Sequence, residues 1–314
     1  MIKKNSRIYI AGHKGLVGSV VLKKLKNLNY KNLIVRTKKQ LDLTNARRVE
    51  FFFKKKKIEY LIICAAQVGG IVSNYNNPTE FFINNSLIQI NLLKMALKYK
   101  LKKTIFLGSS CIYPKNSKTP IKENLLLSGY LEKTNEAYAI AKIGGIKLCE
   151  SLYRQYGLDV MCMMPTNVYG INDNFNKMSS HVIPGMITKF LEGKNKKTIK
   201  LFGTGKPKRE FIFNDDLADA IIVSLNASKK KLYSLFKKEM PILNVGSGEE
   251  ITVKKLSQII KKISKFKGRV IFDSSYPDGV FRKSLNSSMI RSLGWKPKTY
   301  LNKGLKFVIN SQSK

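Results

Sequence analysis

The 314-residue sequence predicts an α/β fold, a doubly wound parallel sheet with a smaller α/β portion toward the C-terminal end. Three observations predict it. Short apolar runs alternate with helix-length stretches through the first half of the chain. A glycine-spaced loop joins the first run to the first helical stretch. After about residue 170 the alternation gives way to polar loops and short turns.

Ile8–Ala11 is an apolar run of strand length, and residues 16–28 beyond the loop carry helical spacing. Leu33–Arg36 forms the second predicted strand, with a helix over 45–55. Tyr60–Cys64 is the third strand, followed by a long helix over 78–99, and Lys103–Leu107 is the fourth. The helix expected over 135–156 has Thr134 and Asn135 as capping candidates and Gly157 as its terminator. Val160–Met164 is the fifth strand. Beyond it lie the polar loop Asn172–Asn176 and a basic loop over Lys194–Lys197. A strand at Ile199–Phe202 runs into Gly203-Thr204-Gly205, and helices follow at Asp215–Leu225 and Val253–Ile263. This organisation predicts a dinucleotide-binding domain at 1–170 and a substrate-binding portion at 171–314. Segments such as 210–247 are free to interleave with the first domain. No repeat or low-complexity linker separates the two, so they are expected to be tightly joined.

With 43% hydrophobic and 25% charged residues, the composition is that of a soluble globular protein and not of a disordered chain. No apolar run approaches the ~20 residues that cross a membrane. The N-terminus runs straight into the first strand without a signal-peptide segment, so a cytoplasmic location is expected. The formal charge of +38 raises nucleic-acid binding as a possibility. The surplus is mostly lysine and is spread along the chain, whereas specific readout favours clustered arginine. It fits solvated faces such as Lys54–Lys57, with no specific nucleic-acid partner. Cys64, Cys111, Cys149 and Cys162 form no C-x-x-C pair, and two histidines accompany them, so no metal site or disulfide framework is expected. Three of the four lie in apolar settings as core thiols; Cys111 follows two serines at a strand end.

Gly12-His13-Lys14-Gly15-Leu16-Val17-Gly18 lies between the first strand and the first helix. Its spacing is G-x-x-G-x-x-G, and glycines there let backbone approach a pyrophosphate at a positive helix end. The sheet is thereby a Rossmann-type one. At the end of the second strand an acidic residue would hold the ribose of NAD; this chain has Arg36. With Lys14 in the loop, Arg36 suits a 2′-phosphate and favours NADP(H). Tyr138 and Lys142, four residues apart, share a helix face. An ammonium beside the phenol is expected to lower its pKa and ready it for proton exchange with a carbonyl. Ser109 at the end of the fourth strand can donate to the same oxygen. Glycine loop, strand-end serine and Tyr-x-x-x-Lys in this order point to hydride transfer at a carbonyl.

The chain resembles the extended short-chain dehydrogenase/reductases and, within them, the GDP-L-fucose synthases. The resemblance covers nearly the whole chain. It is carried by Gly12–Gly18, Ala65–Ile71, Leu107–Pro114, Tyr138–Lys142, Pro165–Gly170, Ser180–Pro184, Arg209–Phe211 and Pro277-Asp278-Gly279. It implies epimerisation of GDP-4-keto-6-deoxy-D-mannose at C3 and C5, then NADPH-dependent reduction at C4. It implies that Cys111 and His181 supply the acid/base pair, with Ser109, Tyr138 and Lys142 as the reductase set. If the backbone stays extended past Ser109, Cys111 faces the same side. Cofactor contacts are implied at Gly12–Gly18, Leu107, Gly108, Ser109, Ser110, Lys142, Pro165, Thr166, Asn167, Val168 and His181. Nucleotide-sugar contacts are implied at Lys189, Phe202, Arg209 and Asp278, and a homodimer as the assembly. The family pattern has arginine in place of Lys189 and tryptophan in place of Phe202. Lysine lacks the bidentate fork, and phenylalanine keeps a stacking face without the indole donor. Two other readings stand beside this one. An NAD-using nucleotide-sugar epimerase or dehydratase is opposed by Arg36 and Cys111. A non-catalytic dinucleotide- or polyanion-binding protein is opposed by the intact Ser109, Tyr138 and Lys142.

Overall fold

The computed structural model describes residues 2–176, 180–236, 240–276 and 278–313, so Pro277 of the Pro277-Asp278-Gly279 motif lies outside the described residues. The first half runs β1 (Ile8–Ala11), α1 (Gly18–Asn27), β2 (Leu33–Ile34), α2 (Ala46–Lys56), β3 (Tyr60–Ile63), α3 (Ile71–Asn76), α4 (Pro78–Lys98), β4 (Lys103–Leu107), α5 (Glu136–Tyr156) and β5 (Val160–Pro165). The second half runs β6 (Asn167–Tyr169), α6 (Val182–Glu192), β7 (Thr198–Phe202), β8 (Lys208–Phe213), α7 (Asn214–Asn226), α8 (Lys229–Phe236), β9 (Ile242–Val245), β10 (Glu250–Thr252), α9 (Val253–Ile263), β11 (Arg269–Asp273), β12 (Arg282–Lys283), α10 (Ser288–Ser292) and α11 (Leu301–Gln312).

Among the described residues the main sheet has six parallel strands in the order β2-β1-β3-β4-β5-β9. Helices cover both faces, which is why its central strands are apolar without alternation: every residue of β1, β4 and β5 is buried. On one face Tyr9, Leu61 and Phe106 pack with Leu92 of α4 and Ile146 of α5. On the other, Ile8, Ile10 and Ile62 pack with Val21 of α1 and with Leu217 and Ile221 of α7. Two elements from the second half of the sequence, α7 and β9, are thus built into the main sheet's sandwich.

The remaining strands form a smaller lobe. β8 pairs with β6, β10 and β12, and β7 pairs with β11. Phe190 of α6, Leu256 and Ile260 of α9, and Leu305 and Val308 of α11 close its core. β2 is shorter than its apolar run. Only Leu33 and Ile34 find partners, Ile8 and Tyr9 of β1, so Arg36 lies in the loop beyond the sheet. No helix among the described residues is long and apolar enough to cross a membrane.

Candidate active site

The cofactor loop lies at the carboxyl end of β1. Gly12 has φ +85°, and a Cβ there would lie 2.6 Å from the Ala65 backbone nitrogen. At Gly18 a Cβ would lie 2.2 Å from the Gly12 carbonyl oxygen. The loop therefore folds on itself and on the end of β3 too closely for side chains. The start of α1 is left bare: Val17 at its N-cap makes no side-chain capping bond, and no acidic residue stands in its first turn. A bare positive helix end beside a loop with glycine at its closest backbone approaches fits a dinucleotide pyrophosphate. His13 contributes a buried Nδ1 without a hydrogen-bond partner, while Lys14 is exposed. Arg36 donates from Nη1 to the Val35 carbonyl at 2.7 Å, with its guanidinium 5.4 Å from the Phe52 ring centre. That bond occupies one of five guanidinium N–H groups, leaving a fork for a phosphate. Farther along the sheet edge, Pro165-Thr166-Asn167-Val168 bridges β5 and β6. Thr166 has a buried, unpartnered hydroxyl, and Asn167 Nδ2 donates to the Glu210 carbonyl at 2.9 Å.

Ser109, two residues past β4, caps a 3-10 turn over Ser110–Ile112, its Oγ accepting from Cys111 N at 3.3 Å. The backbone is not extended there, contrary to the sequence expectation, because the serine side chain caps the turn. The turn keeps Cys111 beside Ser109 all the same. The Ser109 hydroxyl lies within hydrogen-bonding reach of both the Tyr138 phenol and the Cys111 thiol. Tyr138 and Lys142 stand one turn apart on α5, which ends at Gly157 in the left-handed region, as the spacing predicts. Asn135 occupies the N-cap position without a side-chain capping bond. Lys142 is 3% exposed and donates to the Leu107 carbonyl at 2.8 Å. Its ammonium is 5.9 Å from the Tyr138 ring centre and 4.8 Å from that of Phe106. Gly108 and Ser110 flank Ser109 beside it.

The electrostatics correct one expectation. The phenol of Tyr138 is pushed up, not down, because burial outweighs the bond from Ser109. Lys142 is turned to a backbone carbonyl and is itself desolvated, its pKa falling to about 8. Burial also raises the Cys111 thiol, against the pull of Lys283 and Lys142. His181, an exposed residue, sits at the N-cap of α6, and partial desolvation of its ring lowers its pKa. Among the described residues no hydrogen bond ties His181 to the Ser109 cluster. Cys149 and Cys162 are buried and Cys64 half-buried with its thiol pushed up to about 12, as inert core thiols should be.

The expected nucleotide-sugar residues come from α6, β7, β8 and the loop after β11. Lys189 Nζ lies 3.7 Å from the Phe202 ring centre and donates to the Lys200 carbonyl at 3.1 Å. Arg209 Nη2 donates to the Asp278 carbonyl at 3.2 Å. The Asp278 carboxylate is engaged by Thr204, accepting from its N at 2.7 Å and its Oγ1 at 2.6 Å, so it fixes the loop over β7. Sequence reasoning missed Lys283 and Glu132. Lys283 pairs in register with Arg209 across β12 and β8, and both Lys283 and Arg209 feel the carboxylate of Glu132, which is 8% exposed. Lysine is too abundant in this chain for a single one to have stood out.

Residues 8–237 match the NAD dependent epimerase/dehydratase family. The chain belongs to this family. The matched span holds the glycine loop, Ser109, Tyr138, Lys142, His181 and Arg209, and ends before Asp278. The chain is 47% identical to a probable GDP-L-fucose synthase 1 of Oryza sativa subsp. japonica, over 96% of this chain and 90% of the rice protein. It is 43% identical to the GDP-L-fucose synthase of Escherichia coli K12, over 95% of this chain and 94% of that protein. Among solved structures it resembles MlghC, a GDP-mannoheptose C4 reductase from Campylobacter jejuni with NADP bound. There the TM-score is 0.90 and the identity 34%, over 100% of both chains.

Proposed function

We propose that the protein converts GDP-4-keto-6-deoxy-D-mannose to GDP-L-fucose by inverting C3 and C5 and then reducing C4 with NADPH. The observation that carries the proposal is the convergence of Ser109, Cys111, Tyr138 and Lys142 at the carboxyl end of β4, where Ser109 lowers the pKa of both the phenol and the thiol. A carbonyl oxygen held there meets the reductase donors and an acid/base group at one place.

The C4 ketone makes the hydrogens on C3 and C5 acidic. Ser109 and Tyr138 donate to O4 and stabilise the enolate that forms when either hydrogen leaves. Each inversion takes a proton from one face and returns one to the other. Burial keeps Cys111 a thiol near neutral pH, and desolvation of its ring leaves the exposed His181 without a proton, so the pair holds one proton and one vacant base between them. That is the complement one inversion consumes and restores. NADPH, when bound, supplies the hydride to C4. Tyr138, its phenol kept protonated by burial, gives its proton to the C4 oxygen. Lys142 is positioned to hold the nicotinamide ribose.

Gly12–Gly18 would cradle the pyrophosphate and Arg36 with Lys14 the 2′-phosphate. Lys189, Phe202 and Arg209 would take the nucleotide end of the substrate, with Asp278 fixing their loop and Asn167 between sugar and cofactor. The sheet built from residues 1–170, completed by α7 and β9, acts as the cofactor domain, and the smaller lobe as the substrate domain. Phe82, Ile83, Leu87 and Ile90 of α4 and Ile140 of α5 are exposed, which supports a homodimer formed through these helices. A cytoplasmic location completes the reading.

Incubation with GDP-4-keto-6-deoxy-D-mannose and NADPH tests it. The nicotinamide absorbance should fall and GDP-L-fucose should appear; no NADPH consumption would end the reductase assignment. Cys111→Ser should bind NADPH normally and lose inversion at C3 and C5. Product formation by that variant at the wild-type rate would remove Cys111 from the acid/base pair.

A further inference from the structure

The loop after β11 carries an aromatic residue that neither the sequence motifs nor the reaction uses. Tyr276 stacks on Phe202 with ring centres 3.9 Å apart and planes 24° apart. The backbone builds this contact deliberately. Asp273 is the register partner of Phe202 at the ends of β11 and β7. Its carboxylate accepts from Ser275 N at 3.1 Å and Ser275 Oγ at 2.6 Å, and its carbonyl accepts from Gly203 N at 2.9 Å. The turn so formed returns the chain over the end of β7. Two residues on, Asp278 is tied to Thr204, so the segment carrying Tyr276 is held to the β7 end on both sides.

Phe202 is covered on its other side as well. Lys189 Nζ is 3.7 Å from its ring centre. An ammonium and a near-parallel ring cannot share one face at these distances, so the two occupy opposite faces. Lys189, Phe202 and Tyr276 form a column with a cation at one end. Tyr276 and Lys189 take the two faces of Phe202, which is still 51% exposed, and Tyr276 is itself 42% exposed. The outer face of Tyr276 is therefore the π-surface this column offers to a ligand. A cation at the far end of the column draws electron density away from the outer ring and suits it to the π-face of a base.

We propose that Tyr276 is the base-stacking residue of the nucleotide subsite, with Phe202 as the ring that backs it. The proposal rests on the reading of Lys189 and Phe202 as the nucleotide end of the substrate site. It supplies what a phenylalanine in place of an indole gives up, a wide aromatic surface for a purine. The ligand chemistry is a purine nucleoside diphosphate whose base lies flat on the phenol ring and whose diphosphate runs toward Arg209.

Competition against the GDP-sugar substrate by GDP and by inorganic pyrophosphate, in Tyr276→Ala, Tyr276→Phe and Phe202→Ala, tests this. Loss of one base stack should weaken GDP by about tenfold or more in Tyr276→Ala. Pyrophosphate inhibition and NADPH affinity should stay as in the wild type, and Tyr276→Phe should bind GDP as the wild type does. If Tyr276→Phe is as weak as Tyr276→Ala, the hydroxyl acts and the stacking role is wrong. If Phe202→Ala weakens GDP while Tyr276→Ala does not, Tyr276 is no wall of the subsite, although the nucleotide end is correctly located. If neither change affects GDP, the location itself is wrong and the proposal falls with it.

Discussion

Lys142 should destabilise the protein that depends on it. Its ammonium is 3% exposed, has one backbone acceptor in Leu107, and its pKa falls from the ordinary 10.5 to about 8. A fall of that size corresponds to about 3 kcal/mol of folding free energy. The unfolded chain keeps this proton up to 10.5, whereas the folded chain gives it up near 8. Between those values the unfolded state binds more protons, so stability rises with pH. Below 8 both states are charged and the full penalty applies; above 10.5 both are neutral and it vanishes. Lys142→Met removes the titration. The variant also strands the Leu107 carbonyl, which costs about 1 kcal/mol, but that cost does not vary with pH. Urea unfolding of the ligand-free proteins is the assay. Relative to Lys142→Met, the wild type should gain about 3 kcal/mol as pH rises from 8 to 10.5. A difference that stays flat across this window, or one that shrinks the wild type's standing as pH rises, would refute the reasoning. The variant should at the same time lose reductase activity, since no ammonium remains for the ribose.

Other outcomes follow from the same geometry. Gly18→Ala should weaken NADPH binding by about tenfold or more, because the added Cβ meets the Gly12 carbonyl oxygen and forces the loop open; fluorescence titration of NADPH reads it. Arg36→Ala should lose about 10- to 100-fold in NADPH affinity, the worth of a charge-assisted phosphate contact, and leave NADH affinity nearly unchanged, which competitive titration measures. The pH profile of kcat/KM should have an alkaline limb near 8, where Lys142 loses its charge. Its acid limb should lie below 6.5, where His181 takes up a proton late because desolvation of its ring lowers its pKa. Lys142→Arg should carry the alkaline limb upward, since a guanidinium keeps its charge.

The parts of the fold that were legible in the sequence were those set by local pattern. β1, the glycine loop, β4 and α5 each carry a periodicity or a turn residue that decides the element without reference to distant chain. The smaller lobe was legible only in fragments. β8 takes its three partners from residues 167–169, 250–252 and 282–283, and no local signal records such pairings. α6 carries Pro184 and Gly185 in its first turn, which hide it as a helix although proline is tolerated there. At the site, residue identities were legible but their settings were not. The phenol of Tyr138 was expected to feel the lysine before it; enclosure by the surrounding protein is the larger effect, and enclosure is a property of packing. The turn at Ser109 was hidden for a similar reason. A serine that caps its own turn and a serine that ends a straight strand have the same sequence. Tyr276 escaped notice because its partner lies 74 residues earlier, across a strand pair.

The place of β9 has a consequence for how the molecule is made. A nascent chain grown as far as residue 170 already contains the glycine loop, Ser109, Tyr138 and Lys142, yet β5 is still the open edge of the sheet and α1 has no α7 to cover it. That edge is six residues long and apolar throughout, a template for any other strand that meets it. Synthesis must run a further 75 residues, past α6, β7 and β8 of the smaller lobe and then α7 and α8, before Val245 can close it. During that interval the growing protein exposes its stickiest surface, and slowing translation across residues 170–245 should raise the yield of aggregate or of chaperone-bound chain before any change in the finished enzyme can be detected.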